Sequence, residues 1–410
     1  MLNPKTQERE LAYLIKIDSI EPIVGSDNCE AAIVGGWRIM VRKNTFKPGD
    51  IAIYFEIDSQ VPATEEFAFL ASKHYKVKTQ KYTFGGKGLM ISQGLLMHPS
   101  DFGWKSIKDG VIDSNDEMHI IGTSSQFLTK KLNVIYAMPD DNKRKAASAD
   151  KYKLMAQRKP KIFKTKWAKW FMKRSWGRKF MFLLFGKKRD KKSSWPSWVV
   201  KTDEERIQNL VHMIPDFQKE VWIPTEKIDG TSTTFTMKRK PFNQNEFYVC
   251  SRNVVFDKPN KKCFYETNVY TEMAEKYHFE NILKDLLNKN KDLLYVTIQG
   301  ETYGSGIQNR NYGIKDHDLK VFNLIYGYKD GTSVRKNPME MTKILSEYEI
   351  PCVPFFEPIS LPGSCDEILA LAAGESALDG LPREGLVFRS KDGKRSFKAV
   401  DNNFILQYHK

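Results

Sequence analysis

Paired cysteines are missing from this chain of 410 residues. Cys29, Cys250, Cys263, Cys352 and Cys365 are odd in number, and none stands in a CxxC spacing. That excludes a disulfide framework and fits reduced, intracellular thiols. The seven histidines show no HxxxH or related spacing, so no structural zinc site is expected. The opening MLNPKTQERE has no apolar core and is not expected to act as a secretory signal. The longest strongly apolar run, residues 180–186, is far too short to span a bilayer, so no transmembrane segment is expected. No internal repeat is visible. The expected location is intracellular, cytoplasmic or nuclear.

What the chain has in quantity is basic charge, and it is unevenly placed. The whole carries 65 Lys+Arg against 50 Asp+Glu, a net +15. Residues 130–201 hold 23 Lys/Arg and 4 Asp, a net +19, so the rest is slightly acidic at −4. Five of the eight tryptophans lie in the same basic segment. Hydrophobic residues at 41% and charged ones at 28% are an ordinary globular mixture.

Three parts follow from the pattern. Residues 1–125 contain partly alternating strand-like runs at 12–20 and 51–57. Turn chemistry at Lys47-Pro48-Gly49-Asp50, Gly35-Gly36 and Gly85-Gly86 punctuates them, which predicts a small β-barrel or sandwich. Residues 126–200 are a basic, Trp-rich linker or insert. Its centre, KWAKWFMKRSWGRKFMFLLFGKKRDKK, is compatible with a basic amphipathic helix, and a Pro-containing extended link closes it at 193–198. In residues 201–410, Thr202 and Glu205 have capping-box spacing and predict a helix to about His212. Strand-like runs follow at 221–223, 231–237, 247–250, 295–298, 319–325, 386–389 and 396–400. Helical stretches are expected near 268–288, 338–349 and 365–373. This third part reads as an α+β domain with a mainly antiparallel sheet.

Its chemistry centres on Glu226-Lys227-Ile228-Asp229-Gly230, between two strand-like runs. A free lysine near pKa 10.4 is a poor nucleophile at neutral pH. Cations or a bound metal beside a partly buried lysine lower its pKa and activate it. Asp229 offers a carboxylate, and Gly230 lets a phosphate or sugar approach the backbone. KxDG alone recurs by chance in roughly one chain of this length in ten. The company it keeps adds weight. Ser251-Arg252-Asn253, Gly300-Glu301-Thr302-Tyr303-Gly304, Leu319-Lys320-Val321-Phe322, Arg383-Glu384-Gly385-Leu386-Val387-Phe388 and Ser396-Phe397-Lys398-Ala399-Val400 follow in order, each at a strand or strand edge. Together they offer a nucleophile, carboxylates for metal or ribose, an aromatic for a base and cations for phosphates.

Taken together, these segments resemble motifs I, Ia, III, IIIa, IV and V of the covalent nucleotidyltransferases: DNA ligases, RNA ligases and capping guanylyltransferases. The resemblance covers about 202–401. GETYG and REGLVF are similar to the RNA ligase forms of motifs III and IV. Thr202 to Leu210 (TDEERIQNL), with VKTQK at 77–81 and ISQGLL at 91–96, resembles the type 5 RNA ligase family, in which an OB domain precedes the catalytic one.

The resemblance implies an OB-like barrel over 1–125 and an adenylyltransferase domain over 201–410. It implies ATP, with Mg²⁺ or Mn²⁺, and a substrate of RNA or an RNA/DNA duplex with a nick. Lys227 would attack the α-phosphorus of ATP, giving lysyl–AMP. The AMP would pass to a 5′-phosphate end, and a 3′-OH would then displace it. Glu226 would lie beside the adenine pocket with Asp229 and Gly230 around the nucleotide. Arg252 would contact the nucleotide or the 5′-phosphate, Glu301 the ribose or a metal water, and Phe322 would stack on adenine. Glu384 would serve the metal and Lys398 the α-phosphate. One departure stands out: motif V commonly shows two lysines flanking one residue, and here Ser396 replaces the first. Arg395 or Arg389 is a candidate for the missing charge. Nucleic-acid contact, a solvated insert or an interfacial helix are the readings open for the basic segment 143–192. No obligate protein partner is evident. The alternatives are a DNA ligase or capping guanylyltransferase with the same lysine chemistry, and a catalytically inactive RNA-binding protein.

Overall fold

The computed structural model describes residues 1–85, 88–137, 160–163, 165–185, 195–256 and 268–408. The chain forms two compact units: residues 1–136 together with 195–410, and residues 137–194.

In the larger unit the C-terminal part is built on two antiparallel sheets. The smaller runs in the order Ile359–Ser360, Val221–Lys227, Gly385–Ser390, Ser396–Val400. The larger runs Val255–Phe256, Glu246–Cys250, Thr231–Lys238, Leu293–Gly304, His317–Tyr328, Ser333–Arg335. Threonine, valine and aromatic residues make these strands, types whose stiff or bulky side chains suit a pleated surface. One face of the larger sheet buries Phe235, Val296, Ile298 and Leu324 against helices Phe279–Lys289 and Pro338–Ser346, which supply Leu283, Leu287 and Met341. The other face is threonine-rich. Thr236 and Thr297 hydroxyls share a 2.7 Å bond, and Trp198 donates its indole N–H to Thr236 Oγ1 at 3.1 Å. The smaller sheet packs Trp222, Phe388 and Phe397 against Phe217 and helix Cys365–Ala372.

The predicted strands and helices of residues 221–400 are present, longer or shorter at their ends, except that the helical stretch near 268–288 is two helices, Val269–Lys276 and Phe279–Lys289, broken at His278 in the left-handed region. The helix predicted from Thr202 is not formed. Residues 201–205 have no regular secondary structure, and only 3-10 turns follow at Ile207–Asn209 and Val211–Met213. Thr202 Oγ1 bonds Ser232 Oγ at 2.6 Å instead of capping a helix.

The N-terminal part is all-β, but its strands divide among separate small sheets with no closed barrel among the described residues. Ala12–Lys16 pairs with Ile51–Phe55, which pairs with Leu95–Met97; Ser19–Pro22, Cys29–Val34 and Trp37–Arg42 form a meander. Gly35 and Gly36 turn the last hairpin at φ 52° and 78°, in the left-handed region that glycine tolerates. Gly36 also lets this hairpin meet the C-terminal part, since an added Cβ would lie 2.7 Å from Cys365 Sγ. Elsewhere on the same junction, Leu2 N–H donates to Asn209 O at 3.0 Å and Lys81 Nζ to Leu406 O at 2.9 Å. Ile91 is buried with Val400 and Ile405.

Within unit 137–194 the basic segment forms two helices rather than one, Lys166–Met172 and Ser175–Phe185, after a turn of helix at Pro160–Phe163. Gly177 permits their tight crossing, because a Cβ there would meet Phe171 O at 2.1 Å. Residues 143–159 and 186–192 of that expectation lie outside the described residues. Among the described residues no helix is long and apolar enough to cross a membrane.

Candidate active site

The two sheets meet where Val221–Lys227 hands over, through Ile228-Asp229-Gly230, to Thr231–Lys238. The motif thus joins the sheets and lines a cavity of about 340 Å³ between them. Lys227 ends its strand opposite Gly385, which brings Glu384 beside it. Lys227 Nζ donates to Glu384 Oε2 at 2.6 Å. From the larger sheet comes Glu301, cross-strand to Ser232. Gly230 is needed for this approach: a Cβ there would lie 2.3 Å from Thr302 O and 3.0 Å from Glu301 Cγ.

Three carboxylates therefore surround one ammonium. Burial alone would lower the Lys227 pKa, but Glu384, Glu301 and Asp229 outweigh it and hold the amine above its ordinary value. The lowering expected from cations or a bound metal would have to overcome these carboxylates. Glu301 shows the other side of the same crowding. Burial, then Glu384 and Asp229, push its carboxyl up to about 8, although Lys227 and the Gly230 N–H pull it down.

Asp229 is buried, and its backbone N–H donates to Tyr312 Oη at 2.7 Å. Glu226 is buried behind Lys227, with Oε2 accepting from Ala377 N–H at 2.9 Å and Oε1 from Ser376 Oγ. Phe322 presents a half-buried ring to the cavity, supported by Ile228, Tyr303, Tyr312 and Val353. Arg252 and Lys398 also line the cavity, and both face Asp203: Arg252 Nη2 donates to Oδ2, and Lys398 Nζ lies 3.5 Å from Oδ1. Burial and then Lys227 lower the Lys398 pKa, against the pull of Asp203.

All nine residues singled out from the sequence thus gather around one site. Of the two candidates for the missing motif V charge, Arg389 lines the cavity. Its guanidinium donates to Asn323 Oδ1 at 3.2 Å and Thr225 Oγ1 at 3.0 Å. Arg395 instead pairs with Glu220 at 3.1 Å, outside the cavity lining. Sequence reasoning missed Asp203 and Glu204 as site residues, although they stood in view as cap chemistry. Tyr312 and Ser376, which brace Asp229 and Glu226, sit in loops without any pattern that signals them.

A carboxylate set of hard oxygens suits a magnesium- or manganese-like cation. Glu301 and Glu384 both act on Lys227, and the crowding that raises the Glu301 carboxyl to about 8 would be relieved by one. An aromatic ring and several cations lining one cavity suit a nucleotide.

Residues 220–400 match the RNA ligase family model, and residues 11–98 match an OB-fold domain model. No curated protein matches. Among solved structures the chain is similar to Naegleria gruberi RNA ligase with pyrophosphate, at 23% identity and a TM-score of 0.62, covering 98% of this chain and 99% of that one. It is similarly close to a mutant of that ligase with ATP and Mn, at 23% identity and a TM-score of 0.63, covering 98% and 100%. A mutant with AMP and Mn gives 23% identity and a TM-score of 0.61, covering 97% and 98%. At this identity the likeness shows the shared fold.

Proposed function

From a chain that carries an RNA ligase domain behind an OB-fold domain, we propose an ATP-dependent RNA ligase that joins 3′-OH and 5′-phosphate ends, with nicks in duplexes as its substrate. The observation that carries the reading is Lys227 Nζ held 2.6 Å from Glu384, between two sheets and lining one cavity with Phe322, Arg252 and Lys398.

The residues divide the work. Phe322 offers a face to adenine, and Glu226 lies beside it. Lys398 and Arg252 take phosphate oxygens, with Arg389 adding positive charge at the cavity wall. Glu384 and Glu301 would hold Mg²⁺ or Mn²⁺, which would supply charge neutralisation at the phosphates. With the carboxylates around it neutralised, the Lys227 ammonium would give up its proton to solvent, and the amine would be the nucleophile. The Lys227 nitrogen then forms its bond to the α-phosphorus as the bond to pyrophosphate breaks. The AMP passes to the 5′-phosphate of the broken strand, and attack by the 3′-OH releases it. Positioning and electrostatics supply most of the acceleration. The OB-fold part and the basic segment 143–192 supply nucleic-acid contacts, phosphates to Lys/Arg and unpaired bases to aromatics.

The test is incubation with α-labelled ATP or GTP and Mg²⁺ or Mn²⁺. A covalent protein–AMP band, absent in Lys227→Ala, is expected with ATP. Labelling by GTP instead would point to capping chemistry, and no band under either metal would sink the enzyme reading. Nicked duplexes with RNA or DNA on the 3′-OH side then separate RNA from DNA ligation.

A further inference from the structure

The segment 201–205 lies between two cavities, since Asp203 and Glu204 line both the nucleotide cavity and a second one of about 480 Å³. Two of its three carboxylates, Asp203 and Glu204, are spread over four cations. Asp203 faces Arg252 and Lys398, while Glu204 Oε1 lies 3.5 Å from Arg335 and 3.6 Å from Arg389. Their surroundings differ. Arg389 is buried and fixed by Asn323 and Thr225, and Arg335 by Gly393 O and Ser396 Oγ, so the Glu204 contacts belong to the frame. Asp203 is 59% exposed, as is Arg252 at 61%. Lys398 N–H donates to Glu205 O at 2.8 Å and so anchors one end of the segment, while Thr202, beside Asp203, is tied by a hydroxyl contact to Ser232.

We propose that Asp203 is a positioning residue that occupies the phosphate-binding position between Arg252 and Lys398 and is displaced by the nucleotide's α-phosphate. A carboxylate presents two oxygens to two cations much as a phosphate presents two of its non-bridging oxygens. With Asp203 in place, Arg252 and Lys398 are kept facing one another instead of repelling, and the site stays organised while empty of phosphate. A phosphate brings more charge and more acceptor oxygens, so it wins the cations, and the exposed Asp203 turns to solvent. The same exchange penalises weak ligands: anything without a phosphate in this position leaves Asp203 seated. Burial acts against ionisation of Asp203, but Lys398 and then Arg252 hold its carboxyl below the ordinary range, so the competitor is charged at neutral pH.

This inference rests on the nucleotide-binding reading of the cavity, and AMP with adenosine separates the two. Neither can adenylylate Lys227, so binding is measured on the unmodified full chain by calorimetry. Asp203→Asn removes the competing charge while keeping the side chain's shape. Relative to wild type it is expected to bind AMP about fivefold tighter, the scale of an exposed ion pair, and the gain shrinks as salt rises. Adenosine affinity should not change. A merely structural role for Asp203 would move both ligands together. In single-turnover labelling with ATP, Asp203→Asn should lower the half-saturating ATP concentration without raising the maximal rate. Unchanged or weaker AMP binding by Asp203→Asn, or a parallel change for adenosine, overturns the inference and leaves the nucleotide reading standing. If wild type binds neither AMP nor adenosine, both fall.

Discussion

The chemistry of a single lysine sets the conditions under which this protein can work. Lys227 is kept protonated by Glu384, Glu301 and Asp229, against the effect of burial. At limiting metal, the single-turnover rate of lysyl–AMP formation should therefore rise by about tenfold per pH unit through the neutral range, as the amine fraction grows. Saturating Mn²⁺ should shift that rise to lower pH. A rate independent of pH at limiting metal would contradict the arrangement. Glu301 gives a second prediction, on stability. Its folded-state carboxyl is raised to about 8, so the folded protein holds a proton there that the unfolded chain has lost. Stability therefore declines as pH climbs from the ordinary carboxylate range through about 8. Glu301→Gln, measured by thermal melting with chelator, should match wild type at pH 5. At pH 9 it should exceed it by about 2 °C, the scale set by the melting entropy of a chain this long.

At the scale of strands and helices, Gly230 shows how closely two elements can be forced together. Alanine there would drive a Cβ against Thr302 O and Glu301 Cγ, separating Thr231–Lys238 from Leu293–Gly304 at the end that carries the site. We expect Gly230→Ala to cost about 1–3 kcal/mol in chemical denaturation. Its loss of lysyl–AMP formation should exceed what that destabilisation explains. The catalytic strands were legible because Thr231–Lys238 and His317–Tyr328 draw on residue types that suit a sheet. Gathering the site was legible from motif order alone. Thr202 to Glu205 was not, for a physical reason. A capping box is worth about 1 kcal/mol locally, whereas Asp203 and Glu204 meet Arg252, Lys398, Arg335 and Arg389 from elsewhere in the chain. Those partners cannot be read from the local spacing. In the N-terminal part the runs at 12–20 and 51–57 are strands, but others were not legible because they are two or three residues long, as at Ser59–Gln60 and Lys76–Val77, too short to show alternation.

Across the whole molecule, charge and chemistry are kept apart. The net +19 of residues 130–201 belongs to a segment distinct from the residues that build the site, whose own charges nearly cancel. Deleting 143–192 should weaken RNA binding and flatten its salt dependence while leaving lysyl–AMP formation intact, as filter binding across a salt series and ATP labelling would show. An unchanged salt slope would assign RNA capture to the OB-fold part alone. That part is not an independent bystander. Its strand Gly88–Ser92 places Ile91 against Val400 and Ile405, at the end of the strand that carries Lys398, and Lys81 holds the helix that follows. A strand under side load at one end transmits it to the other. If a ligand on the OB surface shifts how Lys398 is presented, occupancy at Lys398 must change the grip of that surface by the same factor. Ile91 is thus the place where the two halves of the molecule would keep each other informed.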